Sequence, residues 1–390
     1  MPPAFDSLPL VLQGLFAIHD TGAPTTGACY HTLVILHGLG WHVGECGSSI
    51  GSSALTTLQI MADVFSRLVP LAAKSNCRLI LINRRGYPGS TPLSAEQLSD
   101  LGRCISDTSS ESLNYVKDFC QERGREVYDF LTDLVCSDES ITPEGGLSVA
   151  GWSFGSIFTM ALLANAPEFA VARNFDLQPY IHSVINYGEV SSSPYLGQRL
   201  NLSCIDPPHS CFGYPSPPGY WHPFVEPDTS VDDAITKLFP PWVSGYYEHN
   251  PPSYEFKHPL VNPRKTIETL PQSTMSLAAV TGGGSDILHF VAVGTHNAVA
   301  SELRDAVLYT SRSGHPGDAW NDIPLKHVFC DHSMWTAVHC AKSLREEYEA
   351  AKKARLSIRP VEIVRIEGAN HFVSFCFVHI SLSINIVTLT

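Results

Sequence analysis

Gly146-Leu147-Ser148-Val149-Ala150-Gly151-Trp152-Ser153-Phe154-Gly155-Ser156-Ile157-Phe158-Thr159-Met160 is the stretch whose reading decides the fold. Leu147 to Ala150 is a short apolar run of the kind that forms a buried strand, and Ile157 to Ala164 begins a helix. Between them lies G-x-S-x-G with Ser153 at its centre. A nucleophile on so sharp a strand-to-helix turn sits in strained backbone. Its neighbours two residues away must lack bulk, because strand and helix crowd there. The five residues alone describe any Gly/Ser turn, and the flanking strand and helix are what point to chemistry.

Upstream, Leu8 to Ile18 reads as a strand that ends in the turn cluster Asp20-Thr21-Gly22-Ala23-Pro24. Thr32 to Leu36 is a continuous β-branched and leucine run, as in a strand covered on both faces, and it runs into His37-Gly38-Leu39-Gly40. Glycines directly after a central strand let backbone N–H groups face a ligand, as an oxyanion hole requires; an ordinary strand-ending turn reads the same way. A second buried strand, Arg78 to Ile82, leads into Asn83-Arg84-Arg85-Gly86-Tyr87-Pro88-Gly89-Ser90-Thr91. The two arginines there suit either an anion clamp or anchors for the loop itself. Ser110 to Cys136 has the three-and-four spacing of an amphipathic helix, and Gly124 marks a bend or a break into two.

Downstream, Ile181 to Tyr187 is a strand candidate ending at Gly188-Glu189. From Ser191 to about Asn321 the rhythm stops and the chain becomes dense in proline and aromatics, as in Tyr214-Pro215-Ser216-Pro217-Pro218-Gly219-Tyr220-Trp221. So long an irregular stretch is expected to be a lid whose aromatics form a small core and line an apolar pocket. The rhythm returns with the strand Leu325 to Cys330, which ends in Asp331-His332-Ser333. A helix from Thr336 to Leu356 follows, then the strand Val361 to Ile366 and Glu367-Gly368-Ala369-Asn370-His371. Strands alternating with helices imply a parallel sheet with its site at the strands' carboxyl ends. An acid after one strand and a histidine after the next complete an acyl-transfer set in the order Ser, Asp, His.

The formal net charge of -13 argues against nucleic acid or an anionic membrane surface as a partner. Eleven cysteines without C-x-x-C or metal-ligand spacing read as reduced thiols, and no cofactor or metal is expected. Met1 to Leu10 has no signal-peptide pattern and no stretch reads as a bilayer span, so a cytoplasmic protein is the expectation, although Asn201-Leu202-Ser203 matches a glycosylation acceptor.

L-V-I-L-H-G-L-G at 33–40, L-I-N-R-R-G-Y-P-G-S-T at 81–91, A-G-W-S-F-G-S at 150–156, H-V-F-C-D-H-S-M-W at 327–335 and V-R-I-E-G-A-N-H-F at 364–372 together resemble the α/β-hydrolase fold superfamily, in its lidded group of serine hydrolases. With F-A-I-H-D-T-G-A-P at 16–24, the chain is similar to such proteins of fungi. The resemblance implies an α/β fold with a mostly parallel sheet flanked by helices. Residues 1–190 and 322–390 would form the core, with 191–321 as an inserted lid. It implies Ser153 as nucleophile, His371 as general base and then acid, and Asp331 as the residue orienting the imidazole. Glu189 is the alternative, since some members take the acid from the preceding crossover. Backbone N–H groups of Leu39 and Phe154 would form the oxyanion hole. The implied activity is cleavage of a small carboxylic ester or lactone, while oligomeric state is left open. A cofactor-free haloperoxidase or carbon–carbon hydrolase would use the same three residues, and a non-catalytic small-molecule binding protein is the other class of reading. Epoxide hydrolases and haloalkane dehalogenases of this superfamily need a carboxylate where Ser153 stands. Two segments depart from the pattern: residues 43–61, and the tail 373–390, which holds no Asp, Glu, Lys or Arg. Both begin abruptly with valine and read as translated introns or a faulty gene model. Transcripts spanning both seams, with soluble full-length protein, would contradict that.

Overall fold

The computed structural model describes residues 8–25, 29–40, 65, 68–181, 202–230, 233–269, 283–310, 319–372 and 387–388. The stretches 43–61 and 373–386, and with them most of the two anomalous segments, lie outside the described residues, as does Glu189.

The chain opens with a hairpin, β1 (Leu10–Gln13) and β2 (Phe16–Asp20), where a single strand was expected. The left-handed φ of 58° at Gly14 makes the tight turn between them. Then follow β3 (His31–Leu36), α1 (Leu68–Lys74), β4 (Cys77–Asn83), α2 (Ala95–Cys104), α3 (Ser110–Ser137), β5 (Leu147–Trp152) and α4 (Ser156–Arg173). The strands β3, β4 and β5 are buried along their whole length, as their uninterrupted apolar runs require. Helix α2 starts on a capping box in which Ser94 and Gln97 satisfy each other's backbone N–H.

Gly124 does not break α3, which runs unbroken for 28 residues. A Cβ there would lie 2.7 Å from the carbonyl carbon of Ala161, so the glycine is the flat place that lets α3 and α4 touch. Helix α4, with the turn before it, is long and apolar enough to cross a bilayer, contrary to the expectation that no stretch qualifies. Its apolar character fits a place inside the fold, where 67% of that window is buried.

A four-residue strand, β6 (Leu202–Ile205), follows, and after it the hairpin β7 (Tyr247–Asn250) and β8 (Glu255–Pro259), then α5 (Gly283–Thr295) and α6 (Asn297–Leu308). The chain returns through β9 (Leu325–Cys330), α7 (Trp335–Lys353), β10 (Val361–Ile366) and β11 (Val387–Thr388). The sheet order is β1-β2-β4-β3-β5-β6-β9-β10-β11, parallel from β4 to β10 and antiparallel at both ends. The chain has the α/β-hydrolase fold, with the Ser153 turn at the carboxyl end of the central strand β5.

Of the strand anticipated at Ile181 to Tyr187, only Ile181 is described, in a parallel bridge to Leu147, and residues 182–187 lie outside the described residues. Between β5 and β9 lies β6, which begins eleven residues inside the segment expected to be lid. The segment expected to be lid is also tied to the rest of the fold. Helix α6 packs on α4, and Thr295 donates to Ile105 O at 3.1 Å.

Candidate active site

Ser153 stands at φ 55°, a left-handed conformation that β-carbon sterics penalise, at the head of a short 3-10 turn leading into α4. Packing holds it there. A Cβ on Gly151 would meet Gly155 O at 2.5 Å, and one on Gly155 would meet Leu36 O at 2.5 Å and His37 O at 2.7 Å. The elbow therefore presses against the end of β3 with no room for a methyl group on either glycine. Gly38 closes the contact from the other side, since a Cβ there would lie 2.7 Å from Ser153 Cβ.

His371 is buried in the loop after β10, beside that elbow. The indole of Trp152 donates to His371 O at 3.0 Å and lies against the imidazole with ring centroids 5.1 Å apart. Asn370 fixes the loop from behind, donating to Ser244 O and Thr266 Oγ1 at 2.8 and 2.7 Å and accepting from Phe372 N–H at 3.1 Å.

The acid partner differs from the expected one. His371 Nδ1–H donates to Asp206 Oδ2 at 2.7 Å. Asp206 is the first residue past β6, at φ 47°, and it is fully buried. It accepts from Cys330 N–H at 2.9 Å and Ser333 Oγ–H at 2.5 Å, while its own N–H donates to Val328 O at 2.6 Å. Asp331 sits past the neighbouring strand β9 and is bonded to other residues. It accepts from Gly368 N–H at 2.8 Å and lies 3.7 Å from Arg365 Nε. Burial raises its carboxyl pKa, against the pull of His332. The sheet brings the end of β6, not that of β9, beneath the histidine. The signal in the sequence was the run Leu202-Ser203-Cys204-Ile205-Asp206-Pro207, a minimal strand ended by Asp-Pro. With Nδ1 bound to a carboxylate, Nε2 is left as the basic ring nitrogen.

Leu39, Ser153 and Phe154 line one wall of a cavity of about 500 Å³. His209, Phe224, Trp242, Phe290 and Met334 complete much of its lining, all but Met334 from the segment expected to be lid. The volume and apolar lining fit a small organic molecule. His209 brings a polar edge, with Nε2 at 2.8 Å from Ser216 Oγ. Burial, and then the nearby His339 and His222, push its pKa down to about 3, so it stays neutral at working pH. Among the described residues no group of three or more His, Cys, Asp and Glu side chains could hold a metal ion.

The backbone at 37–40 is held by an arginine that sequence reading left between clamp and anchor. Arg84 is buried and donates from Nε to His37 O and from Nη2 to Gly38 O, each at 2.9 Å. Its charge is met by Asp286 of α5 through a two-pronged pair at 2.5 and 2.7 Å. Tyr87 donates to Asp286 Oδ2 at 2.6 Å and accepts from Gly40 N–H at 2.9 Å. Burial, and next the Asp286 charge, raise the phenol's pKa well above its ordinary value, which keeps it a donor. In a trans peptide the N–H of one residue points opposite to the C=O of the residue before it. Turning Gly38 C=O toward Arg84 therefore turns Leu39 N–H away from Arg84.

No family model matches the chain, and no curated protein matches it. Among solved structures, an epoxide hydrolase from Vigna radiata is similar at 12% identity and TM-score 0.41, over 94% of this chain and 92% of that one. A peroxisomal α/β-hydrolase from Saccharomyces cerevisiae is similar at 12% identity and TM-score 0.44, over 94% and 80%. A hydrolase from Pseudomonas aeruginosa is similar at 14% identity and TM-score 0.42, over 96% and 94%.

Proposed function

We propose, taking the α/β-hydrolase fold as premise, that this chain is a serine hydrolase that cleaves a carboxylic ester or lactone of a small, largely apolar molecule through an acyl-enzyme. The buried His371–Asp206 pair beside the strained Ser153 elbow carries the reading. In this mechanism Ser153 Oγ attacks the carbonyl carbon as His371 Nε2 takes its proton. Asp206 keeps the imidazole in that tautomer and stabilises its cation. Negative charge forms on the carbonyl oxygen and is met by the N–H groups of Leu39 and Phe154, each worth about 3 kcal/mol in comparable sites. The tetrahedral species collapses as His371 returns the proton to the leaving oxygen. Water then repeats the sequence, with the serine as leaving group and the acid released.

Ser153 supports ester over epoxide chemistry, because its hydroxyl can form and release an acyl ester. The test is hydrolysis of p-nitrophenyl esters and of lactones by the full chain and by Ser153→Ala. The expected result is turnover that falls by at least ~10³-fold in the variant. Equal turnover by both proteins would sink the proposal.

A further inference from the structure

A second cavity of about 510 Å³ lies in the inserted region and shares Trp242 as a wall with the cavity above Ser153. Six rings line it: Tyr220, Trp221, Trp242, Tyr247, Phe256 and Trp335. The polar tips of several of these rings are already bound to protein. Trp335 Nε1–H donates to Trp221 O at 2.7 Å, Tyr247 O–H to Trp242 O at 2.6 Å, and Trp221 Nε1–H to Glu226. What the cavity offers is therefore aromatic surface. The rings also brace one another, with Tyr220 and Trp335 centroids 5.3 Å apart and Tyr247 and Phe256 6.0 Å apart. Tyr247 N–H donates to His332 O at 2.9 Å, which fixes the hairpin wall to the core.

Lys265 is the one charged residue among those that line this cavity, and no Asp or Glu is among them. Lys265 makes no ion pair among the described residues. An unpaired cation at an aromatic cavity matches a ligand with a flat ring and one negative charge, since stacking satisfies the ring and the ammonium satisfies the anion. We propose that this cavity is a binding site for a small aromatic monocarboxylate, distinct from the cavity that holds Ser153. The site requires nothing of the serine chemistry, so it stands or falls apart from the proposed hydrolysis.

The test is calorimetric titration of the full chain with 1-naphthaleneacetate and with its neutral isostere 1-naphthaleneacetamide. The acetate is expected to bind about ten-fold more tightly than the acetamide, the size of one favourable charge contact. Lys265→Met, which keeps the apolar stem, should erase that difference. Leu238→Trp, which fills the second cavity, should abolish binding of both. Gly294→Phe should leave binding unchanged, because Gly294 lines only the cavity above Ser153 and a Cβ there meets nothing within 4 Å. Thermal unfolding midpoints check that each variant is folded, and should Leu238→Trp fail to fold, Lys265→Met and Gly294→Phe decide. Absence of acetate binding at millimolar concentration, equal affinity for the two probes, or loss of binding in Gly294→Phe would each overturn the proposal.

Discussion

Asp206 and Asp331 each follow a parallel strand, one strand apart, and what separates them is what each holds. Asp206 gives one oxygen to Cys330 N–H and shares the other between Ser333 and His371, while Asp331 joins the turn after β9 to the turn after β10 through Gly368. Asp206→Asn keeps the shape but offers the imidazole the wrong partner, so kcat/KM for an activated ester should fall roughly 10³–10⁴-fold. Asp331→Asn should stay within a few-fold of the parent. Steady-state kinetics of the two folded variants check this pair of outcomes. Ser153 and His371 were legible because each sits in a run of several informative residues at the end of a clear strand. Asp206 was not, because its strand is four residues long and adjoins a proline-rich region whose composition masks it.

The strands Leu325–Cys330 and Val361–Ile366 were readable to the residue, since each is a mostly apolar run closed by a turn signal, at Asp331 and at Glu367-Gly368. Helix junctions were less so, because a glycine in a helical pattern reads as a break until its neighbour is known. Gly124 is the flat side of the α3–α4 contact, so Gly124→Val should destabilise the protein by about 1–3 kcal/mol through overpacking, read as a lower urea midpoint. The tie between α5 and the 37–40 loop could not be seen in sequence either, since Arg84 and Asp286 are 202 residues apart. Arg84→Met leaves Asp286 buried without its partner and should cost about 3–5 kcal/mol. The double variant Arg84→Met/Asp286→Leu should recover most of that stability, yet kcat should stay roughly 10–10²-fold low because Gly38 C=O then keeps only His37 Nδ1 and loses the Arg84 guanidinium. Urea unfolding and ester kinetics on both variants separate the two effects, and recovery of kcat along with stability would reduce Arg84 to a purely structural role.

Across the whole molecule, buried histidines set how stability answers to acid. His327 lies fully buried in β9 against the Phe212 ring, and burial pushes its pKa down to about 4, only partly opposed by Asp206. His209 is pushed to about 3. Unfolding returns each to about 6.5. As pH falls below that value the unfolded chain takes up protons that the folded chain refuses, so stability drops from about pH 6.5 toward pH 4 and is unaffected by these groups above that window. His327→Leu should remove close to one proton, about 1.4 kcal/mol per pH unit, from the acid-side slope, measured as urea stability between pH 4.5 and 6. The fold at large was legible because strand rhythm and the elbow suffice to specify it, whereas the site depends on where one short strand enters the sheet. The most direct measurement of the site is the rate at which a fluorophosphonate labels Ser153, followed by intact mass and peptide mapping. Rapid stoichiometric labelling in the parent and in Asp331→Asn, slowed at least ~100-fold in Asp206→Asn, is the expected result. No label on Ser153 in folded protein, or equal rates in Asp206→Asn and the parent, would contradict the account.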